Sequence, residues 1–167
     1  RRGGYIRCFR NTLYMEPTNY VLHSMQADGS DITPISFFEA SEWAPSVDHD
    51  GRLIYSRWDY IDRENGLGSK FWTCYPDGRD PRAPHGNYPH PYSVQPEYDG
   101  PKKGTRPLGA CSEMHFRAIP NSPRYIFTGV PHHGAAFGPL ALLDPRIRDF
   151  GTMNQITRIT ADQRFPE

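Results

Sequence analysis

The sequence has no excess of charge of either sign, and it lacks the motifs that mark haem attachment, zinc knuckles and membrane spans. Its 19 Lys and Arg residues balance 19 Asp and Glu residues, so no net field attracts nucleic acid or an anionic membrane. No apolar run approaches the ~18 residues that cross a bilayer. No CxxC or CxxCH motif occurs, which excludes covalent haem attachment and a four-cysteine zinc knuckle within these residues.

Cysteine is scarce as well, and its three positions, Cys8, Cys74 and Cys111, lie far apart in the chain. One disulfide with one thiol left over and three buried, inert thiols are both compatible with this spacing. The chain begins at Arg1 without Met or a signal peptide, and we expect residues to precede it in the whole protein.

The composition that remains favours strands and turns. Only 37% of residues are hydrophobic and the mean hydropathy is −0.72, which leaves little apolar material for long buried helices. Aromatic residues make up 13%, and the chain has 17 Pro and 15 Gly. Aromatic residues favour strands, whereas Gly and Pro punctuate turns. We therefore predict an all-β fold of many short strands.

A repeated pattern organises these strands. Three segments share an apolar strand, an Asp-Gly or Asp-Pro turn and a short polar strand: 19–36, 71–84 and 140–160. At Asp28-Gly29 and Asp77-Gly78 we predict hairpin turns, because Gly accepts a positive φ and the Asp side chain bonds the backbone two residues on.

Two further strand pairs, 43–60 and 114–133, precede the second and third of these hairpins. Strand 53–58 lacks a clean period of two, as expected for a strand covered on both faces. An inner hairpin followed by an outer one makes a four-stranded unit, and tandem four-stranded units are typical of a β-propeller. We predict a partial propeller of two to three blades from a ring of about six. Residues 1–40 form the end of one blade, 41–84 form a complete blade, and 111–167 form a further blade and the start of the next.

Two insertions interrupt these units. The stretch 85–110 is rich in Pro and Gly and shows no strand pattern, and loops of this length are usually functional or disordered. A shorter insertion, 62–69, lies between the two halves of the complete blade.

A family resemblance rests on longer blocks. The run 28–36 followed by 42–59 is similar to the TolB-like propeller repeat. The blocks 43–47, 50–63, 131–138 and 142–146, in this order, resemble the middle domain of the hydrazine synthase alpha subunit and its relatives over about residues 20–167. The resemblance implies a six-bladed propeller inside a larger extracytoplasmic protein, periplasmic or secreted. It also implies partners among other domains of the same chain or partner subunits.

The resemblance also implies site residues. In the family, a His-His-Gly segment approaches a c-type haem whose covalent attachment lies on flanking domains, with one His on zinc and a nearby Tyr on the iron. Carried over, His133 takes the place of the zinc ligand. Phe137 stands where the iron-ligating Tyr stands, and a phenyl ring has no oxygen to ligate iron. We therefore expect haem ligation by this segment to be lost.

Other side chains could complete a metal site with His133. Asp59 and Asp62 follow the strongest predicted strand and could supply carboxylate ligands. Alternatively, they form ionic contacts with Arg57 and Arg63, and Arg57 could equally stack on Trp72. Cys111 is a further candidate ligand.

His115 lies four residues after Cys111 and could join the same metal set. The spacing suits two ligands on a helix, whereas this segment is predicted to be strand or loop. The adjacent His132 is weaker, because neighbouring side chains in an extended chain point in opposite directions. The alternative is that one of the two histidines packs in the fold and the other bonds a backbone carbonyl.

No catalytic residues are predicted: the G-x-S-x-G elbow and phosphate-binding glycine loops are both absent. We expect a scaffold or binding domain that is not catalytic on its own. The alternative is part of a zinc- or haem-dependent oxidoreductase site, and a weaker one is a propeller that gates a fused hydrolase.

Overall fold

The computed structural model describes residues 20–38, 41–58, 69–86, 112–131, 137–148 and 154–160, and the backbone of 105–106 and 165–166. Eleven strands lie in these ranges: β1 (His23–Ser24), β2 (Thr33–Pro34), β3 (Ser41–Val47), β4 (Leu53–Trp58), β5 (Ser69–Cys74), β6 (Thr105–Arg106), β7 (Ser112–Ala118), β8 (Tyr125–Val130), β9 (Leu140–Leu143), β10 (Ile156–Arg158) and β11 (Phe165–Pro166). The described ranges contain no helix, which confirms the all-β prediction. It follows that none of them holds an apolar helix able to cross a membrane.

All strand pairs are antiparallel, and the principal sheets follow chain order. β1 pairs with β2, the next sheet has the order β3-β4-β5, and the third has the order β10-β9-β8-β7. We call the residues of these three sheets the first unit (20–38), the second unit (41–86) and the third unit (112–160). A separate two-stranded sheet joins β6 to β11.

The hairpin turns have one geometry, which repeats at Gly29, Gly51 and Gly78. Each Gly donates its N–H to the carbonyl three residues earlier, at 2.9, 3.1 and 2.8 Å, and has φ between +82° and +86°. This combination is a type I turn followed by a left-handed bulge residue, a common three-residue hairpin. The predicted turns at 28–29 and 77–78 are therefore confirmed.

The aspartate before each glycine locks the turn. Its Oδ1 accepts the backbone N–H two residues later, at 2.9 Å from Ser30, 3.1 Å from Arg52 and 3.1 Å from Arg79. Asp144 does the same for Arg146 at 3.1 Å in the third unit. The side chain thus supplies an acceptor that the turn backbone lacks.

The units stack face to face with one core at each junction. Between the first and second units Leu22, Tyr55 and Cys74 are buried. Between the second and third units an aromatic cluster is buried that includes Phe71, Phe116, Tyr125 and Phe127 together with Ile54, Ala141 and Leu143. Ile54, Tyr55 and Ser56 are all fully buried, so β4 is covered on both faces, as its sequence predicts.

The first strands of the second and third units share a further feature. β3 begins Ser41-Glu42 and β7 begins Ser112-Glu113, and all four residues are buried. Two residues after each glutamate the register shifts, and Ala44 (φ +51°) and His115 (φ +59°) adopt the left-handed conformation there. Each strand therefore carries a β-bulge at the same place.

Two details differ from the sequence prediction. The complete unit was expected to have four strands, but its fourth strand is reduced to one isolated bridge between Arg82 and Thr73. Pro81 and Pro84 flank that bridge, and proline cannot donate to a ladder. The insertion was expected to contain no strand, which is wrong at Thr105–Arg106, since β6 pairs with β11.

We predict that Gly78→Ala destabilises the protein far more than Gly51→Ala. Both glycines have φ near +82°, so alanine at either costs about 1–2 kcal/mol of backbone strain. At Gly78 a Cβ would also lie 1.6 Å from the carbonyl oxygen of Ile35, whereas at Gly51 it meets nothing within 4 Å. Overpacking of this kind costs a further ~1–3 kcal/mol or more. Urea unfolding of the two variants measures the difference, and equal midpoints would contradict it.

Candidate functional site

The structure brings few of the sequence-predicted site residues together. His132, His133, Asp59, Asp62 and Cys111 lie outside the described residues. Phe137 is described, and its side chain is 72% exposed. A phenyl ring carries no donor atom, so Phe137 does not fit the role of an iron ligand.

The described residues contain no group of three His, Cys, Asp or Glu side chains that could hold a metal ion. His115 sits on the β7 bulge with its side chain exposed, and Cys74 is a free, buried thiol. Burial is the main cause that raises the pKa of that thiol, which keeps it protonated and unreactive.

The alternative interpretation of Arg57 is confirmed. Its guanidinium carbon lies 4.1 Å from the centroid of the Trp72 ring and 4.0 Å from that of Phe38. A guanidinium between two aromatic faces is a favourable cation–π arrangement. Phe38 belongs to the first unit and Trp72 to the second, so Arg57 links these two units.

Among the described residues, a concentration of polar side chains is buried between the second and third units. We call Lys70, His85, Glu113 and Gln155 the Glu113 cluster. Glu113 Oε1 lies 3.2 Å from His85 Nε2 and 3.4 Å from Lys70 Nζ. His85 Nδ1 lies 2.6 Å from Gln155 Oε1. All four residues are at least nine-tenths buried, and they come from β5, the end of the second unit, β7 and the loop before β10.

The hydrogen-bond partners of His85 favour its charged form. Gln155 Nε2 donates to the carbonyl of Ile147 at 2.8 Å, which turns the amide oxygen of Gln155 toward His85. Both ring nitrogens of His85 therefore face oxygen acceptors, one on Gln155 and one on Glu113. An imidazole that donates on both sides is the charged form.

The charges in the cluster stabilise one another. Burial opposes a charge on His85, but the adjacent Glu113 carboxylate outweighs it and raises the pKa of His85 above its ordinary value. Burial likewise opposes ionisation of Glu113, but Lys70 and His85 outweigh it and lower the pKa of Glu113. One carboxylate is thus shared by two cations in a site that water does not reach.

Backbone contacts place Glu113 in this position. The Ser56 hydroxyl of β4 donates to the Glu113 carbonyl at 2.7 Å, and the Ser69 N–H of β5 donates to Ser112 Oγ at 3.2 Å. At the other end of the same junction, Tyr125 donates its hydroxyl to the Asp48 carboxylate, with oxygens 2.9 and 3.0 Å away. Polar contacts thus fix both ends of the aromatic core between the two sheets.

The first junction repeats the arrangement with different chemistry. The Ser36 hydroxyl donates to Glu42 Oε2, and the Leu22 N–H donates to Ser36 Oγ at 2.8 Å. The Tyr20 N–H approaches Ser41 Oγ at 3.5 Å, as that of Ser69 approaches Ser112. The second and third units therefore each send a buried glutamate from their first strand to the end of the preceding unit.

The Glu113 cluster was missed in the sequence, although a signal for it exists. The Asp28-Gly29 and Asp77-Gly78 turns are 49 residues apart, and the same offset aligns Ser36 with His85. Ser-Glu occurs only at 41–42 and 112–113. His85 is the first residue of the predicted Pro- and Gly-rich insertion 85–110, and its side chain is buried.

The chemistry available to the cluster is structural. A general acid or base must come within about 3 Å of the proton that it moves, and these groups are closed off from solvent and substrate. Buried, shared charges instead fix which surfaces meet, because any other pairing leaves a charge uncompensated. A comparison of the chain with family models and with curated proteins finds no match.

We predict that Glu113→Ala lowers the free energy of unfolding by about 3–5 kcal/mol, because it leaves the buried charges of Lys70 and His85 without their anion. Arg79→Ala is the control, since Arg79 pairs with Asp77 on the surface with 80% of its side chain exposed. Water screens such an exposed pair, so its loss should change the unfolding free energy little. Chemical denaturation of both variants provides the measurement, and similar small losses in both would refute a clamping role for Glu113.

We also predict a stability window set by the cluster. The pKa of His85 is raised above its ordinary 6.5, so its contribution is complete below pH 6.5 and disappears as pH rises through the folded-state pKa. The pKa of Glu113 is lowered from 4.5, so its contribution is complete above pH 4.5 and disappears as pH falls through the folded-state pKa. Subtracting the unfolding free energies of His85→Asn from those of the unaltered chain should give a difference that is largest between these values. A difference independent of pH would contradict the assignment.

Proposed function

We propose that this chain is a β-propeller segment that acts as a rigid scaffold or binding domain of a larger extracytoplasmic protein. The observation that carries the proposal is the repeat of one junction design. At both junctions, consecutive sheets pack face to face and a buried glutamate in the first strand of a unit meets the end of the preceding unit. Tandem sheets joined in one repeated way are the construction principle of a propeller.

The arrangement of the first strands supports this architecture. In a propeller the first strand of every blade lies nearest the central axis, so first strands of adjacent blades are neighbours. β7 contacts β3 as well as β4 and β5. The third unit has four consecutive antiparallel strands, the number that a blade requires.

The chemistry of the described residues supports a scaffold role over catalysis. The densest polar cluster is buried and committed to holding two sheets together. Propellers bind ligands or partners through loops at the ends of the strands, while the sheets supply rigidity. On the resemblance to the hydrazine synthase alpha subunit, we propose that the partners are other domains of the same chain or associated subunits, in the periplasm or outside the cell.

The metalloenzyme alternative rests on the resemblance for His133 and on residue type and position for its co-ligands. In it, His133 binds zinc, with Asp62, Asp59 and Cys111 as co-ligands, close to a haem carried by other domains. Elemental analysis and an absorption spectrum of the whole protein test it: zinc that is lost in His133→Ala would support it, and unchanged zinc content would reject it. The gate of a fused hydrolase is a third proposal, which an appended hydrolase domain would support.

We predict that a rotation of about 60° about one axis, the angle of a six-bladed ring, relates the second unit to the third, and crystallography of the whole protein measures it. The same axis should relate the first unit to the second. Units stacked with nearly parallel strands and no common axis would indicate a layered sandwich instead and would overturn the propeller. Turnover of a substrate by the isolated domain would overturn the scaffold role separately.

A further inference from the structure

The third unit has a face that is only partly covered, at the position where the other two units are buried. We define the forward face of a unit as the face that packs on the following unit. In the second unit the forward face carries the cross-strand pairs Ile54–Thr73 and Ser56–Phe71. All four of these residues are buried, with exposures of 0, 6, 0 and 1% in that order.

The equivalent pairs of the third unit are known from the register. They are Ile126–Leu142 and Thr128–Leu140, which occupy the same places in β8 and β9 as the four residues above in β4 and β5. Here none of the four is buried, and Leu140 is 42% exposed. The backbone of β11 contacts β8 but leaves Leu140 exposed.

The third unit also contains the part of the polar junction contact that the preceding unit supplies. The Leu140 N–H donates to Thr160 Oγ1 at 3.1 Å, as the Leu22 N–H donates to Ser36 Oγ at 2.8 Å. Backbone bonds from 159–160 to the Leu140 carbonyl also match those from 35–36 to the Leu22 carbonyl. Thr160 therefore corresponds to Ser36, whose hydroxyl proton goes to the Glu42 carboxylate.

We propose that the forward face of the third unit is a docking surface for a further β-sheet of the same repeat, whose first strand brings a carboxylate to the Thr160 hydroxyl. This inference rests on the proposed propeller. Both junctions within the chain are closed by a sheet that begins Ser-Glu, which defines the chemistry of the occupant. A second copy of this chain fits less well, because its only two Ser-Glu pairs are already buried within it.

The first test compares charge insertion at two equivalent positions of the full chain. Leu140→Asp should leave the thermal midpoint almost unchanged, because that side chain is exposed to solvent. Phe71→Asp, at the same register position of the second unit, should abolish cooperative unfolding because it puts a charge into the core. Equal damage from both would show that the chain already covers its own forward face and would overturn the proposal.

The second test adds to the chain a sheet of the kind proposed to dock on the forward face. The full chain is extended after Glu167 by a flexible linker and a second copy of residues 112–160, the unit that covers a forward face within the chain. The thiol introduced by Leu140→Cys should then react with a maleimide at least tenfold more slowly than without the extension. Ile147→Cys is the control, since Ile147 is also 42% exposed but lies in a turn, and its labelling should not change.

Two variants decide whether protection is specific. Thr160→Val, which keeps the shape and removes the hydroxyl, should restore most of the labelling at Leu140→Cys, and so should Glu113→Leu made only in the appended copy. Equal labelling with and without an extension whose circular dichroism shows added sheet would overturn the docking surface. Protection of the unextended chain that rises with concentration would also overturn it, in favour of a second copy. The rotation between the existing units would stand in either case, so failure here is separable from failure of the propeller.

Discussion

The stacking of the second and third units depends on one buried carboxylate. Glu113 lies at the start of β7, yet its side chain is neutralised by Lys70 and His85 from the preceding unit. Removing a carboxylate and two cations from water costs several kcal/mol per ion, and only their mutual contact repays it. Any other arrangement of the two sheets would separate these three groups and lose that contact. The aromatic core around Phe71 and Phe116 supplies the greater part of the favourable burial, but burial alone does not select a register.

The Asp-Gly turns allow the units to approach one another closely. Each Asp-Gly turn satisfies its own backbone groups, so the ends of the strands need no partners elsewhere and can approach other units closely. Gly78 shows the consequence, since the backbone of Ile35 in the first unit rests where a Cβ would be. At the first junction the glutamate and the turn act side by side, since Glu42 contacts Ser36 and Gly78 lies against Ile35.

Local sequence patterns made most of the fold predictable, but they did not predict the Glu113 cluster. The turns at Asp28-Gly29 and Asp77-Gly78, and the doubly covered strand β4, follow from residues that are adjacent in sequence. The Glu113 cluster instead joins residues 28 to 70 positions apart, and a buried glutamate carries no local mark that separates it from a surface one. The fourth strand of the second unit is reduced to one bridge beside Pro81 and Pro84, which cannot donate to a ladder. The Arg57–Trp72 stack was among the alternatives because a guanidinium stacks readily on an aromatic face. The metal candidates His133, Asp59, Asp62 and Cys111 lie outside the described residues and stay a prediction.

The two junctions are built on one plan but are chemically distinct. Glu42 accepts a hydrogen bond from the Ser36 hydroxyl of the preceding unit, and Glu113 lies beside Lys70 and His85 of its preceding unit. If the third unit packed on the first by mistake during folding, Glu113 would face the Ser36 hydroxyl in place of the two cations. Sheets of similar shape would otherwise be exchangeable, and tandem repeats are prone to such misassembly. Ser36 and His85 occupy one repeated position, and the difference between them therefore favours the correct order of the units during folding.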